Sequence, residues 1–164
     1  MSQEQTLDLN KLVSDRIEKK IAEVSLCLEN KKLGDDEIIR LAEMDALAEV
    51  THLDLGENLI TDQGVSVLCN SSFAKNLKVL NLKSNKITET GAQFIAQAES
   101  LTQLEQLILK FNRIGEQGAK YLAESQTLVN LTTLDLFRNH IGDAGAKAIK
   151  SSKNFRRVSR LRLD

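Results

Sequence analysis

From Leu26 onward the chain repeats one arrangement of apolar and polar positions. Leu26, Leu53, Leu80, Leu107, Leu134 and Leu161 stand 27 residues apart. Two residues after each comes Leu28, Leu55, Leu82, Leu109, Leu136 or Leu163. This alternation with period two predicts a short strand with both leucines turned inward. Three residues before the first leucine stand Val50, Leu77, Leu104, Leu131 and Val158, and seven after it Leu33, Ile60, Ile87, Ile114 and Ile141. Five after it comes Asn58, Asn85, Asn112 or Asn139. An amide at that point both donates and accepts, so it satisfies backbone groups that a turn leaves unpaired. The spacing predicts an internal asparagine ladder, with Asn85 and Asn112 buried and Asn58 and Asn139 held less tightly near its ends.

A helix is predicted after each turn. Thr61 and Thr88 read as N-caps, and Asp62, Glu89, Glu116 and Asp143 put negative charge at the positive end of the helix. Gly64, Gly91, Gly118 and Gly145, followed by Val65, Ala92, Ala119 and Ala146, keep the first turn small, which implies close packing against the strand layer. Leu68, Ile95, Leu122 and Ile149 fall on the same helical face. Cys69 takes the place of Ala96 and Ala123, as a small buried hydrophobe does. One such unit has no way to bury its own apolar face, so neighbours must stack into a solenoid. Ahead of the repeats, Leu9, Leu12, Val13, Ile17 and Ile21 have helical spacing and predict a capping helix within residues 1–22. The first unit has Glu23 and Lys31 where later ones have an aliphatic residue and asparagine, as an atypical terminal repeat would.

The phrase L-x-x-L-x-L-x-x-N-x-I, in five full units plus a sixth strand over residues 23–164, resembles leucine-rich repeats of the ribonuclease-inhibitor type. The resemblance implies an α/β solenoid, a right-handed horseshoe arc with a parallel sheet on the concave side and helices on the convex side. It also implies a protein–protein interaction module that binds a partner protein through the concave face. Ribonuclease inhibitor, the activators of the Ran GTPase and sensing domains of innate immune receptors share this repeat type. Two other roles therefore stay open: a GTPase-activating regulator, and a bacterial effector acting inside a host cell. A piece of a larger repeat protein also fits.

Function should then sit where the repeated phrase varies. One concave column reads Ser25, His52, Val79, Gln106, Thr133 and Arg160, and the next Cys27, Asp54, Asn81, Ile108, Asp135 and Arg162. A third reads Glu29, Gly56, Lys83, Lys110, Phe137 and Asp164, flanked by Glu57, Ser84, Phe111 and Arg138. Acids dominate the early units and rings with cations the later ones. Phe beside Arg is a composition found at interface hot spots. The expected partner-binding residues are Asn81, Lys83, Ile108, Lys110, Phe111, Asp135, Phe137 and Arg138.

Composition narrows the classes. The 164 residues suit one domain, and a net charge of −1 favours neither nucleic acid nor an acidic membrane. Aromatic residues are 4% and Trp is absent, so each exposed ring is more telling. The start "MSQEQTLDLNKL" has no basic, apolar signal character, and no apolar run reaches membrane-spanning length, which points to a cytoplasmic protein. Delivery into a host cell is compatible with this. Cys27 and Cys69 do not form a disulfide framework, and the glycosylation patterns at Asn70 and Asn130 are read as chance. No phosphate-binding loop, glycine fingerprint or Cys/His metal spacing is present, so neither cofactor nor metal is expected. Asp54 and Asp135 share a column three units apart, on the order of 14 Å, too far for a carboxylate pair acting on one bond. An enzyme is not expected. Arg156, Arg157, Arg160 and Arg162 near the last strand would repel a second identical edge and predict a monomer.

Overall fold

The computed structural model describes residues 8–20 and 23–164. Its strands are β1 (Ile17–Lys20), β2 (Glu23–Cys27), β3 (His52–Asp54), β4 (Val79–Asn81), β5 (Gln106–Ile108), β6 (Thr133–Asp135) and β7 (Arg160–Arg162). Its helices are α1 (Leu9–Arg16), α2 (Asp35–Ala42), α3 (Asp62–Asn70), α4 (Glu89–Gln97), α5 (Gly115–Glu124) and α6 (Gly142–Ser151). The strands form one seven-stranded sheet in chain order, with β1 antiparallel to β2 and every later pair parallel. A constant period keeps the pairing in step, so Leu26, Leu53, Leu80, Leu107, Leu134 and Leu161 lie side by side. Both inward leucine rows are buried as far as Leu136, each side chain contributing about 2 kcal/mol. On β7, the last strand among the described residues, Leu161 is 36% exposed.

The N-terminal helix is shorter than its apolar spacing predicts. Asp8 caps it by accepting from Lys11 N–H at 3.1 Å, and Leu9 and Val13 are buried. At Ile17 the backbone turns extended, and Ile17 pairs with Leu26 in an antiparallel ladder. The backbone groups on the outer edge of β2 need partners, and this pairing supplies them at the cost of one more helical turn. Ile21 lies outside the described residues.

The ladder forms, with one adjustment to its order of burial. In each turn the asparagine Oδ1 accepts from one or two N–H groups of the preceding unit, and Nδ2 donates to carbonyls of both units. For Asn112 the donors are Asn85 and Ile87 and the acceptors Leu82 and Leu109. Asn58, Asn112 and Asn139 are buried, Asn139 completely, while Asn85 is half-buried. Ser84 is a small neighbour for Asn85, where the other units carry Glu57, Phe111 and Arg138. Asn139 is not a loose end, because Asp164 carries the ladder on. Its two carboxylate oxygens accept from the N–H groups of Asn139 and Ile141, both at 2.9 Å.

The helices stack through their first turns. Thr61 and Thr88 cap α3 and α4 as predicted. The acidic residues do more than complement a dipole: Asp35 accepts from Thr61 N–H, Thr61 Oγ1 and Gly64 N–H of the next unit. Asp62 does the same for the N–H and Oγ1 of Thr88. α5 and α6 start instead at Gly115 and Gly142, both with positive φ. The small turn at Gly118 and Gly145 makes room for the preceding helix rather than the strand layer. A Cβ on Gly118 would lie 3.0 Å from Glu89 Cα, and one on Gly145 3.0 Å from Ala119 Cβ. Among the described residues no buried side-chain nitrogen or oxygen lacks a partner.

Candidate functional site

The concave face divides into two chemically different halves. In the first, charges neutralise one another. Lys83 Nζ bridges Glu29 and Glu57. Its hydrogen bond holds the Glu29 carboxyl below the usual range, and Glu29 in turn raises Lys83. Cys27, Glu29 and Asp54 come together from adjacent units, with one possible ligand atom of each within 4.8 Å of the others. Sequence spacing does not reveal this cluster, since its members belong to two strands and their exits. Both carboxylates already have donors: Glu29 has Lys83, and Asp54 has Gly56 N–H at 2.9 Å and Asn81 Nδ2 at 3.0 Å. The fold thus supplies a cation to Glu29 and neutral donors to Asp54, and the cluster is a junction between units.

The column of Asp54, Asn81 and Asp135 builds turns. In each, Oδ1 accepts from the N–H two residues on, which is Gly56, Lys83 or Phe137. Asp135 is buried and stands 3.6 Å from Arg162 Nη1. Of the residues expected to meet a partner, Asn81, Lys83 and Asp135 are therefore engaged within the fold. The physical reason is the same for all three: the strand exit leaves N–H groups or charges that these side chains satisfy.

The remaining members gather in the second half. The residue preceding each ladder position has left-handed backbone: Asn30, Glu57, Ser84, Phe111 and Arg138, with φ between 52° and 61°. Asn tolerates this region; a bulky Phe is strained there, and such strain concentrates at functional positions. Phe111 is nevertheless 42% exposed. It meets the half-buried Phe137 edge-on, with centroids 5.9 Å apart and planes at 81°. Three cations surround the pair in four contacts. Lys110 lies 5.8 Å and Arg138 5.7 Å from the Phe111 ring centroid, while Arg138 at 5.6 Å and Arg162 at 5.2 Å flank Phe137. Ile108 is half-buried beside them on β5. Arg162 was not among the expected contact residues; its place in the same column as Ile108 was the available signal. Beside the rings an open cleft of about 550 Å³ is lined by Phe111, Asn112, Arg138, His140 and Asp164.

The titratable groups elsewhere have structural surroundings. Thr51 Oγ1 lies 2.9 Å from His52 Nδ1, but that hydroxyl is occupied by the backbone N–H and carbonyl of Val24. Burial pushes the Cys69 thiol up to about 12, in keeping with its expected role as a small core residue. No helix among the described residues is long and apolar enough to cross a membrane.

Four segments, residues 50–69, 74–96, 100–123 and 127–150, match the family model described as Leucine Rich repeat. Among solved structures, the internalin InlF of Listeria monocytogenes is similar, at 29% sequence identity and a TM-score of 0.46. That alignment covers 74% of this chain and 31% of the internalin chain, so this chain spans less than a third of that length. No curated protein matches the chain.

Proposed function

The chain belongs to the leucine-rich repeat family, and from that premise we propose that it binds another protein through the later half of its concave face. The observation that carries this is Phe111. A large ring is held exposed in a left-handed backbone conformation, packed edge-on against Phe137 and flanked by Lys110 and Arg138. Every unit has this backbone conformation before its ladder position, but only here does it carry a large ring, and a ring serving only to cover the sheet would not be left 42% exposed. Ile108, Lys110, Phe111, Phe137 and Arg138 form the proposed contact set, joined by Arg162. Of the three expected residues engaged within the fold, Asn81 and Lys83 lie at its margin, and Asp135 lies within it, in register between Ile108 and Arg162.

Capture from native lysate with the unmodified chain and with the double variant Phe111→Ser, Phe137→Ser tests the reading. The unmodified chain should retain a partner and the variant lose it, with the circular dichroism spectrum unchanged. Retention of the same partner by a folded double variant would refute this surface. Unfolding of the variant would make the rings part of the core.

A further inference from the structure

We infer that the partner segment seated on this patch is acidic, a stretch of polypeptide that presents carboxylates beside an apolar side chain. This rests on the protein-binding reading and specifies the chemistry of what is bound. Among the described residues, Lys110 and Arg138 stand in no ion pair, and Arg162 reaches Asp135 only at 3.6 Å. The nearby carboxylates are held by backbone donors and keep their charge. Asp135 accepts from Phe137 N–H, and Asp164 from Asn139 and Ile141 N–H. Three cations, Lys110, Arg138 and Arg162, still face only two carboxylates, Asp135 and Asp164, so the patch keeps an excess of positive charge, although Lys110 also acts on Glu29 of the Lys83 bridge at the other end.

The geometry suits carboxylates, and the covered ring faces disfavour nucleic acid. Arg138 sits over both rings and Arg162 over Phe137. A guanidinium stacked on a ring loses little further freedom on binding, and its N–H edge still meets a carboxylate in two parallel bonds. The cleft of about 550 Å³ beside Phe111 takes the apolar side chain. A nucleic acid would need ring faces free for its bases, whereas cations already lie over these. An extended polyanion crossing the arc would also meet Glu29, Asp54 and Glu57.

The test is selection of peptides from a random display library on the full chain, with polyuridine and phosphatidylserine vesicles measured alongside. Recovered peptides should be rich in Asp and Glu. Their affinity should fall about tenfold with Arg138→Gln, which removes one paired charge. It should be lost with Phe111→Ser and unchanged with Lys153→Gln. Arg138 is exposed, so its variant tests the idea even if Phe111→Ser does not fold; melting temperatures identify that case. Peptides that depend on Phe111 but are not acidic and ignore Arg138→Gln would overturn the acidic segment while leaving protein binding intact. No Phe111-dependent peptide at all would overturn both. Polyuridine or vesicles binding as tightly as the peptides, with the same dependence on Arg138, would overturn the assignment to a polypeptide.

Discussion

Asn112 uses both ends of its amide, and its side chain links the backbones of two successive turns. Asn112→Ala leaves buried N–H and C=O groups without partners, which should cost about 1–3 kcal/mol. Asn139→Ala should cost as much, because Asn139 is fully buried and Asp164 fixes the backbone next to it. Urea titration checks both; a midpoint equal to the parent's in either variant would mean that water replaces the amide. Phe111 poses the opposite case. Its left-handed backbone costs about 1–3 kcal/mol, and the ring pair returns about 0.5–1.5 kcal/mol. Phe111→Asn exchanges both for a residue at ease in that region. The melting temperature should stay within about 2 °C, while partner binding is lost. A fall several times larger would make the ring a core residue. The two cysteines separate as sharply. A thiol reagent should label the exposed Cys27 in the native protein and reach Cys69 only on unfolding, since burial keeps Cys69 protonated and covered.

Elements join through their ends, and Gly118 shows the consequence. In an ordinary exposed helix Gly→Ala stabilises by about 1 kcal/mol. Here the added Cβ would lie 2.7 Å from Ile114 Cγ2 and 3.0 Å from the backbone of Glu89 in the helix before. Gly118→Ala should therefore destabilise by about 1–3 kcal/mol, the reverse of its helix propensity. Calorimetry decides the sign, and a higher melting temperature would show that the helices part easily. The repeated positions made strand, turn and helix legible in the sequence, because each unit states the same requirement again. The segment after Arg16 was not legible in that way. Leu9, Leu12, Val13 and Ile17 have helical spacing, yet the open edge of β2 draws Ile17–Lys20 into a strand, a demand set by the rest of the molecule. The candidate site was legible to the same extent: the rings and cations stand where the concave column places them. Asn81 and Asp135 could not be separated from surface residues, because a side chain bonded to its own backbone two residues on leaves no trace in spacing.

Across the whole molecule the sheet has two edges of different character. β1 closes one of them antiparallel, while the outer edge of β7 is unpaired among the described residues and exposes Leu161. Such an edge invites pairing with a second copy. A net charge of −1 gives this 164-residue chain little overall repulsion, so charge repulsion at this edge would be local. Arg160 and Arg162 flank Leu161 on this strand, and both are exposed. They have unequal second tasks: Arg162 stacks on Phe137 and faces Asp135, whereas Arg160 stands in no ion pair. Arg160 is accordingly the cleaner probe of edge repulsion. The protein should be monomeric by light scattering at moderate salt. Arg160→Thr should shift it toward dimers without weakening the aromatic patch, and Arg160→Thr with Arg162→Thr should shift it further and weaken the patch as well. Raising the salt to about 1 M, where screening acts within about 3 Å, should mimic the single change. A stable dimer of the unmodified chain at low salt would mean that the edge is used for pairing and that the arginines serve the partner surface alone. Equal monomer content in parent and Arg160→Thr at every salt concentration would mean that strand twist and shortness, rather than charge, protect the edge.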